Sequence, residues 1–163
     1  MYLYESEYYR SHSRGLMYFI DKLLATGFFT GYVPFMPGTA GSLVALLFIY
    51  FTRPDVQSLC ILIAIALAIG VKTSSRLEHV WGKDPSQIVL DEFVGMWIAL
   101  LGHDLSKLWI VVAAFGLFRF FDIVKPFGIN ALQKAPEGWG VMLDDVLAGV
   151  YTNVFIWCIM YFL

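Results

Sequence analysis

Charge is scarce in this chain. Lysine, arginine, aspartate and glutamate make up 15% of its 163 residues, against about a quarter in soluble domains. Hydrophobic residues make up 59% and mean hydropathy is +0.69. A water-soluble domain of this length could not bury that much apolar surface, so the chain reads as an integral membrane protein. Cysteine is nearly absent too. Cys60 and Cys158 lie inside apolar runs, and no CxxC or Cys/His cluster exists, which excludes a disulfide scaffold and a zinc site. Positive charge is not in excess: the formal net charge is −2, which leaves no footprint for nucleic acid. The three histidines, His12, His79 and His103, fall in polar stretches and read as surface residues. The length has room for one domain, so residues 1–163 are read as a single membrane-embedded unit with residues 1–15 as a mobile N-terminal extension.

What is abundant is apolar sequence in short runs. Residues 16–29 contain Asp21 and Lys22, which a signal sequence would exclude, and suit an amphipathic helix lying in the membrane interface. A Gly/Pro-rich loop follows over 31–42. Apolar runs at 43–51 and 56–71 flank Thr52-Arg53-Pro54-Asp55, where proline breaks the helix and a tight hairpin is expected. A polar loop is predicted over 72–87. Further runs cover 88–101 and 108–121, joined by a short loop, and a second long loop over 123–140 leads to a last run, 141–163. The predicted fold is all-α: a helical bundle of about five short spans plus the interfacial helix. Several runs fall short of the roughly 20 residues of a clean span, which implies tilting or local thinning. With five spans, Arg10, Arg14, Lys22, Lys72, Arg76, Lys83, Arg119, Lys125 and Lys134 share one side, and only Arg53 and Lys107 lie on the other. The positive-inside rule then puts the N-terminus and both long loops in the cytoplasm.

The acidic residues carry the chemistry. Asp91, Glu92, Asp122, Asp144 and Asp145 lie within or beside apolar runs, where a carboxylate costs about 2.5 to 3.5 kcal/mol at mid-bilayer. A single acid at a span end needs only water. Five at the cytoplasmic ends of three spans form a ring of oxygen ligands at one depth. Asp91 and Gly95 are four residues apart, as are Asp145 and Gly149, so each acid shares a helix face with a glycine that allows close helix approach. Carboxylates without histidine or thiolate suit a hard cation, Mg²⁺ or Mn²⁺.

Arg119 and Lys125 each stand three residues from Asp122, where they serve either as phosphate donors or as simple ion-pair partners. Five carboxylates and these two cations leave a surplus of negative charge that one divalent ion does not cancel. Two ions, a protonated carboxyl, or added cations such as Lys72 and Arg76 would resolve it. The stretch Pro37-Gly-Thr-Ala-Gly-Ser42 offers backbone N–H groups, with Thr39 or Ser42 as a cap for the next helix, and Thr39, Gly41 and Ser42 as phosphate contacts. It lacks the Gly-Lys-Ser/Thr of a P-loop.

At these residues the chain resembles the phosphatidylglycerophosphatase A family. The matching elements are Ala25-Thr-Gly27, Pro37-Gly-Thr-Ala-Gly-Ser-Leu43, Val89-Leu-Asp-Glu-Phe-Val-Gly-Met-Trp97, Phe118-Arg-Phe-Phe-Asp-Ile-Val-Lys-Pro126 and Gly138-Trp-Gly-Val-Met-Leu-Asp-Asp-Val-Leu-Ala-Gly149, in the family's order. The resemblance implies a Mg²⁺-dependent hydrolase, using one or two ions, that converts the membrane lipid phosphatidylglycerophosphate to phosphatidylglycerol and phosphate. It also implies a place in phospholipid synthesis at the bacterial inner membrane, with the site facing the cytoplasm. Two positions depart from the family: Gly128, where proline is usual, and Glu137, where glycine is frequent.

For the residues themselves, an activated water attacking phosphorus is expected, with Asp91, Asp122, Asp144 and Asp145 as metal ligands and Glu92 as ligand or general base. The catalytic set is then Asp91, Glu92, Asp122 and Asp145, with Arg119 and Lys125 on the phosphate. No cysteine-phosphatase loop or Asp-x-Asp pair supports a covalent route. Two other classes place carboxylates in a membrane. A CDP-alcohol phosphotransferase needs Asp-Gly-x-x-Ala-Arg, whereas Val146 follows Asp145 here. An ion transporter binds at the midplane between internal repeats, whereas these acids gather toward one face.

Overall fold

A computed structural model describes residues 15–126 and 128–162. The described residues are helical with no strand: α1 (Leu16–Ala25), α2 (Pro37–Thr52), α3 (Val56–Trp81), α4 (Leu90–Leu100), α5 (Leu108–Val124), the single turn α6 (Ile129–Leu132) and α7 (Gly138–Phe162). The expected extension over 1–15 and His12 lie outside them, apart from Gly15.

Chain reversals set the bundle. Arg53 ends α2 in a left-handed conformation, and the Asp55 carboxylate caps α3 by accepting from the N–H groups of Gln57 and Ser58. The helix break predicted there is present, but the tight hairpin is not: α2 packs chiefly on α4, and α3 on α7, α1 and α4, rather than on each other. α4 is the central helix, buried on nearly every side and packed most extensively on α7. The glycines make that contact possible. A Cβ on Gly95 would come within 2.6 Å of the Asp145 carbonyl oxygen, and one on Gly149 would collide with the Gly95 carbonyl. At the far end, Asn153 of α7 donates to the carbonyls of Ile98 and Leu101 and so satisfies the last turn of α4.

Several expectations change. Helix α3 runs to Trp81, so residues 72–81 of the predicted loop are helical. Their polar face is covered by α1: Arg76 reaches Asp21 at 3.3 Å and Trp81 Nε1 donates to Tyr18 Oη at 2.9 Å. Helix α1 thus turns Asp21 inward and leaves Leu16, Met17, Phe19 and Ile20 outward, as an interfacial helix would. Pro37–Ser42 is the opening of α2 rather than a loop, since proline is favourable in a first helical turn. Met36 occupies the cap position without a side-chain bond, so neither Thr39 nor Ser42 caps. His79 is helical and His103 is buried against Trp157, with ring centroids 5.0 Å apart.

Two helices, Val56–Trp81 and Gly138–Phe162, are long and apolar enough to cross a membrane, and Pro37–Thr52 is a shorter apolar helix. At 11 residues α4 falls well short of a span. The helices alternate in direction, so the starts of α2, α4 and α7 and the ends of α3 and α5 gather at one end.

Candidate active site

That end holds the acids. A cavity of about 200 Å³ is lined by Pro37 and Gly38 from α2, Asp84, Pro85, Ser86 and Ile88 from the α3–α4 connection, Asp91 and Glu92 from α4, Arg119 and Asp122 from α5, Lys125, and Asp144 and Asp145 from α7. All five carboxylates expected from the sequence are present. Each stands in the first turns of α4 or α7 or the last turn of α5, and the crossing at Gly95 and Gly149, one turn deeper, draws α4 and α7 together beneath them.

The acids divide by their partners. Oxygens of Glu92, Asp122 and Asp145 converge within 4.8 Å of one another, a spacing that could hold a metal ion. Glu92 is fixed from two sides: Ser42 Oγ donates to it at 2.7 Å, and an Arg119 terminal nitrogen donates to both its oxygens at 2.6 Å. The same nitrogen lies 3.0 Å from Asp122 Oδ2. Asp145 is 3% exposed and its Oδ2 is buried without a hydrogen-bond partner. A buried carboxylate oxygen lacking a donor, in a group made only of oxygen ligands, suits a hard divalent cation.

Asp91 and Asp144 stand outside that trio. Each accepts from the backbone N–H of the next residue, and Asp144 also pairs with Lys125. Lys125 ends α5 in a left-handed conformation, φ 47°, which turns its side chain toward α7. Burial acts against the Lys125 charge. The hydrogen bond and negative charge of Asp144 outweigh it and hold the ammonium above its usual pKa.

The glycine-rich segment contributes differently from expectation. Gly38 is the residue at the cavity, and a Cβ there would collide with Glu92 Oε1. Gly41 is buried against Val89, 2.8 Å from where its Cβ would be, and Ser42 serves Glu92. Neither Gly41 nor Thr39 lines the cavity. Arg76, considered as an extra cation, is engaged with Asp21, and Lys72 is exposed outside the cavity. Asp84 and Ser86 were missed, because an acid or serine in a polar loop carries no sequence signal. Cys60 and Cys158 are exposed on the outer surface, away from the cavity, so no thiol nucleophile serves it. The unusual Gly128 and Glu137 adopt φ of 92° and 57°; proline cannot occupy the first, and the second is a conformation that favours glycine.

An acid-lined cavity with two cations at one end of an apolar helical bundle suits one class of protein, hydrolases of phosphate esters. The sequence profile described as Phosphatidylglycerophosphatase A matches residues 23–160, and the chain belongs to that family. A Haemophilus influenzae phosphatidylglycerophosphatase A is 40% identical over 146 residues, 86% of this chain and 89% of the relative. The Escherichia coli protein of that name is 38% identical over 131 residues, 78% of this chain and 76% of the relative. A Bacteroides thetaiotaomicron protein, provisionally named a phosphatidylinositol-3-phosphatase, is 45% identical over 146 residues, 85% of this chain and 92% of the relative. No solved structure matches.

Proposed function

We propose that the chain hydrolyses the phosphate monoester of phosphatidylglycerophosphate with Mg²⁺, at the cytoplasmic face of the bacterial inner membrane. The observation that carries this is the convergent trio Glu92, Asp122 and Asp145, with its orphan oxygen, beside Arg119 and Lys125. The trio would hold the ion; when bound, Mg²⁺ neutralises phosphoryl charge and acidifies a water. Ser42 and Arg119 keep the Glu92 oxygens aimed at the site. Arg119 and Lys125 bind phosphoryl oxygens, and Asp144 holds Lys125 in position. Asp91 has no cationic partner among the described residues and serves as the proton acceptor. Water bonds to phosphorus while its proton passes to Asp91, the phosphorus–oxygen bond to the headgroup breaks, and the proton returned by Asp91 makes the leaving oxygen a hydroxyl.

Six carboxylates line the cavity against two cations. One divalent ion only halves that surplus, so a second ion or a protonated carboxyl accompanies a phosphate dianion. The five main helices are read as lying at bilayer depth, two of them as full spans, because outward-facing residues such as Phe48, Ile61, Ile65, Val112 and Phe155 form an exposed apolar surface. The positive-charge distribution supports a cytoplasmic site.

The test is phosphate release by purified full-length protein from phosphatidylglycerophosphate in mixed micelles. Expected are activity with Mg²⁺, loss with EDTA and return on adding Mg²⁺, and much slower cleavage of glycerol 3-phosphate. Phosphatidylinositol 3-phosphate belongs in the same assay, because the Bacteroides relative bears that lipid's name. Equal turnover of the soluble ester would reject a lipid phosphatase.

A further inference from the structure

The cavity is closed on most of its sides. The Gly95–Gly149 crossing seals the joint of α4 and α7 beneath it, α5 packs closely on α7, and the connection of residues 82–87 covers the flank toward α3 with Asp84, Pro85 and Ser86. One joint is different. Helix α2 packs chiefly on α4 and α5 chiefly on α7, so α2 and α5 both lean on α4 and touch each other only lightly. At the cavity end one side chain bridges them: Arg119 of α5 reaches Ser42 of α2 at 3.3 Å while it holds Glu92. That side chain is still 16% exposed.

Helix geometry shows what borders the joint. Trp97 of α4 donates to the Ala45 carbonyl at 3.1 Å and packs on Phe48, with ring centroids 5.8 Å apart, which marks the α4 flank of α2. Ser42, Leu46 and Ile49 are buried. Leu43 and Leu47, four residues apart, therefore fall on the other flank, toward α5. On α5, Val112 stands seven residues before Arg119 and Ile123 four after it, so both share its face. These four apolar residues are between 40% and 68% exposed. An apolar furrow thus starts beside Arg119 and runs along the outside of the bundle, away from the acids. Apolar outer faces are ordinary in a bundle read as lying in a bilayer; this one begins at the cavity's own cation.

We propose that the furrow between α2 and α5 holds an acyl chain of the lipid being hydrolysed, so that the substrate enters sideways from the bilayer and its headgroup reaches inward past Arg119. The occupant is an acyl chain because the furrow is continuous with a cavity whose arginine and lysine suit phosphate, and a phospholipid joins those two chemistries in one molecule. This rests on the lipid-phosphatase reading and adds to it where the lipid's tail is bound.

The experiment compares the full chain with Leu47→Trp and Val112→Trp, which fill the furrow, and with Ile65→Trp, which adds the same ring to an exposed position of α3. Val112 lies about 10 Å from Arg119 along α5, at roughly 1.5 Å per residue, further than a six-carbon chain extends. The substrates are dioleoyl and dihexanoyl phosphatidylglycerophosphate in detergent solution. Both furrow variants should lower kcat/KM for the dioleoyl lipid roughly tenfold, chiefly through KM, because a methylene or two denied its contacts costs about that much. The dihexanoyl lipid should be spared, and Ile65→Trp should leave both unchanged. As a readout apart from turnover, phosphatidylglycerophosphate with a diazirine in its acyl chain should label the peptides around Leu47 and Val112, and unmodified lipid should suppress that labelling. Equal losses on the two chain lengths, or wild-type rates in both furrow variants, would overturn the proposal. So would labelling spread evenly over the outer faces and indifferent to competitor. If the wild type hydrolyses neither lipid, the phosphatase reading fails, and the labelling pattern alone then decides the furrow.

Discussion

Asp145 and Asp144 are neighbours in sequence, yet the structure gives them different partners. Asp145 contributes an orphan oxygen to the trio, whereas Asp144 is bound to Lys125. Asp145→Asn and Asp122→Asn are expected to lower kcat by two orders of magnitude or more at saturating Mg²⁺, because each removes a carboxylate from the group proposed to hold the ion. Asp144→Asn should raise KM more than it lowers kcat, since it frees Lys125 without opening the trio. Steady-state kinetics on the three variants checks the contrast, with Asp55→Asn, which alters a helix cap at the opposite end, close to wild type. If Asp145→Asn and Asp122→Asn keep near-normal rates, the trio is structural. The sequence marks these acids out, since carboxylates are costly in apolar runs. It does not show the division among them, which depends on which side chain of a neighbouring helix arrives opposite. Asp84 is harder still, because an acid in a polar loop costs nothing and so stands out from nothing.

Among elements, the junction of α4 and α7 sets the site. Gly95 and Gly149 were legible as contact points because each lies one helical turn from an acid, and the structure places their backbones against each other. Gly149→Ala forces the two helices apart and should lower thermal stability by about 1 to 3 kcal/mol, the usual cost of overpacking, together with activity. Gly116 of α5 is the counterexample: nothing lies within 4 Å of a Cβ there. Gly116→Ala should leave activity intact and gain up to about 1 kcal/mol from helix propensity. Thermal unfolding in detergent measures both, and equal effects would contradict the crossing. The element that sequence reading misplaced is the last part of α3. Its polar residues suggest a loop, and only the docking of α1, through Asp21 to Arg76 and Tyr18 to Trp81, gives them partners in a helix.

For the molecule as a whole, sidedness follows from the alternation of helices. Lys83 and Lys134 belong to the end with the acids, whereas Asp55 starts α3 at the other. Single cysteines at Lys83 and Lys134, in a variant lacking Cys60 and Cys158, should be shielded from an impermeant thiol reagent in intact cells, and one at Asp55 should react. The reverse pattern would invert the topology. The number of full spans was the least legible feature, because run length in sequence does not reveal where a helix stops. The Ile88–Leu101 run yields a helix of only 11 residues, with its ends turned by Val89 and Leu101.

The shortness of that central helix reaches beyond packing. At about 1.5 Å per residue α4 is roughly 16 Å long, half of a hydrocarbon layer about 30 Å thick. The acids at its start and the buried His103 just past its end are thus separated by much less than a bilayer. Helix α4 is buried among its neighbours, whereas α3 and α7 are long enough to span, so in the proposed membrane setting one end of α4 stops short of a bilayer surface. A thicker host layer would then set the cavity deeper below the headgroups. Reconstituted in phosphatidylcholines of increasing chain length, the protein is expected to lose turnover as the layer thickens, and a constant rate across the series would reject that depth.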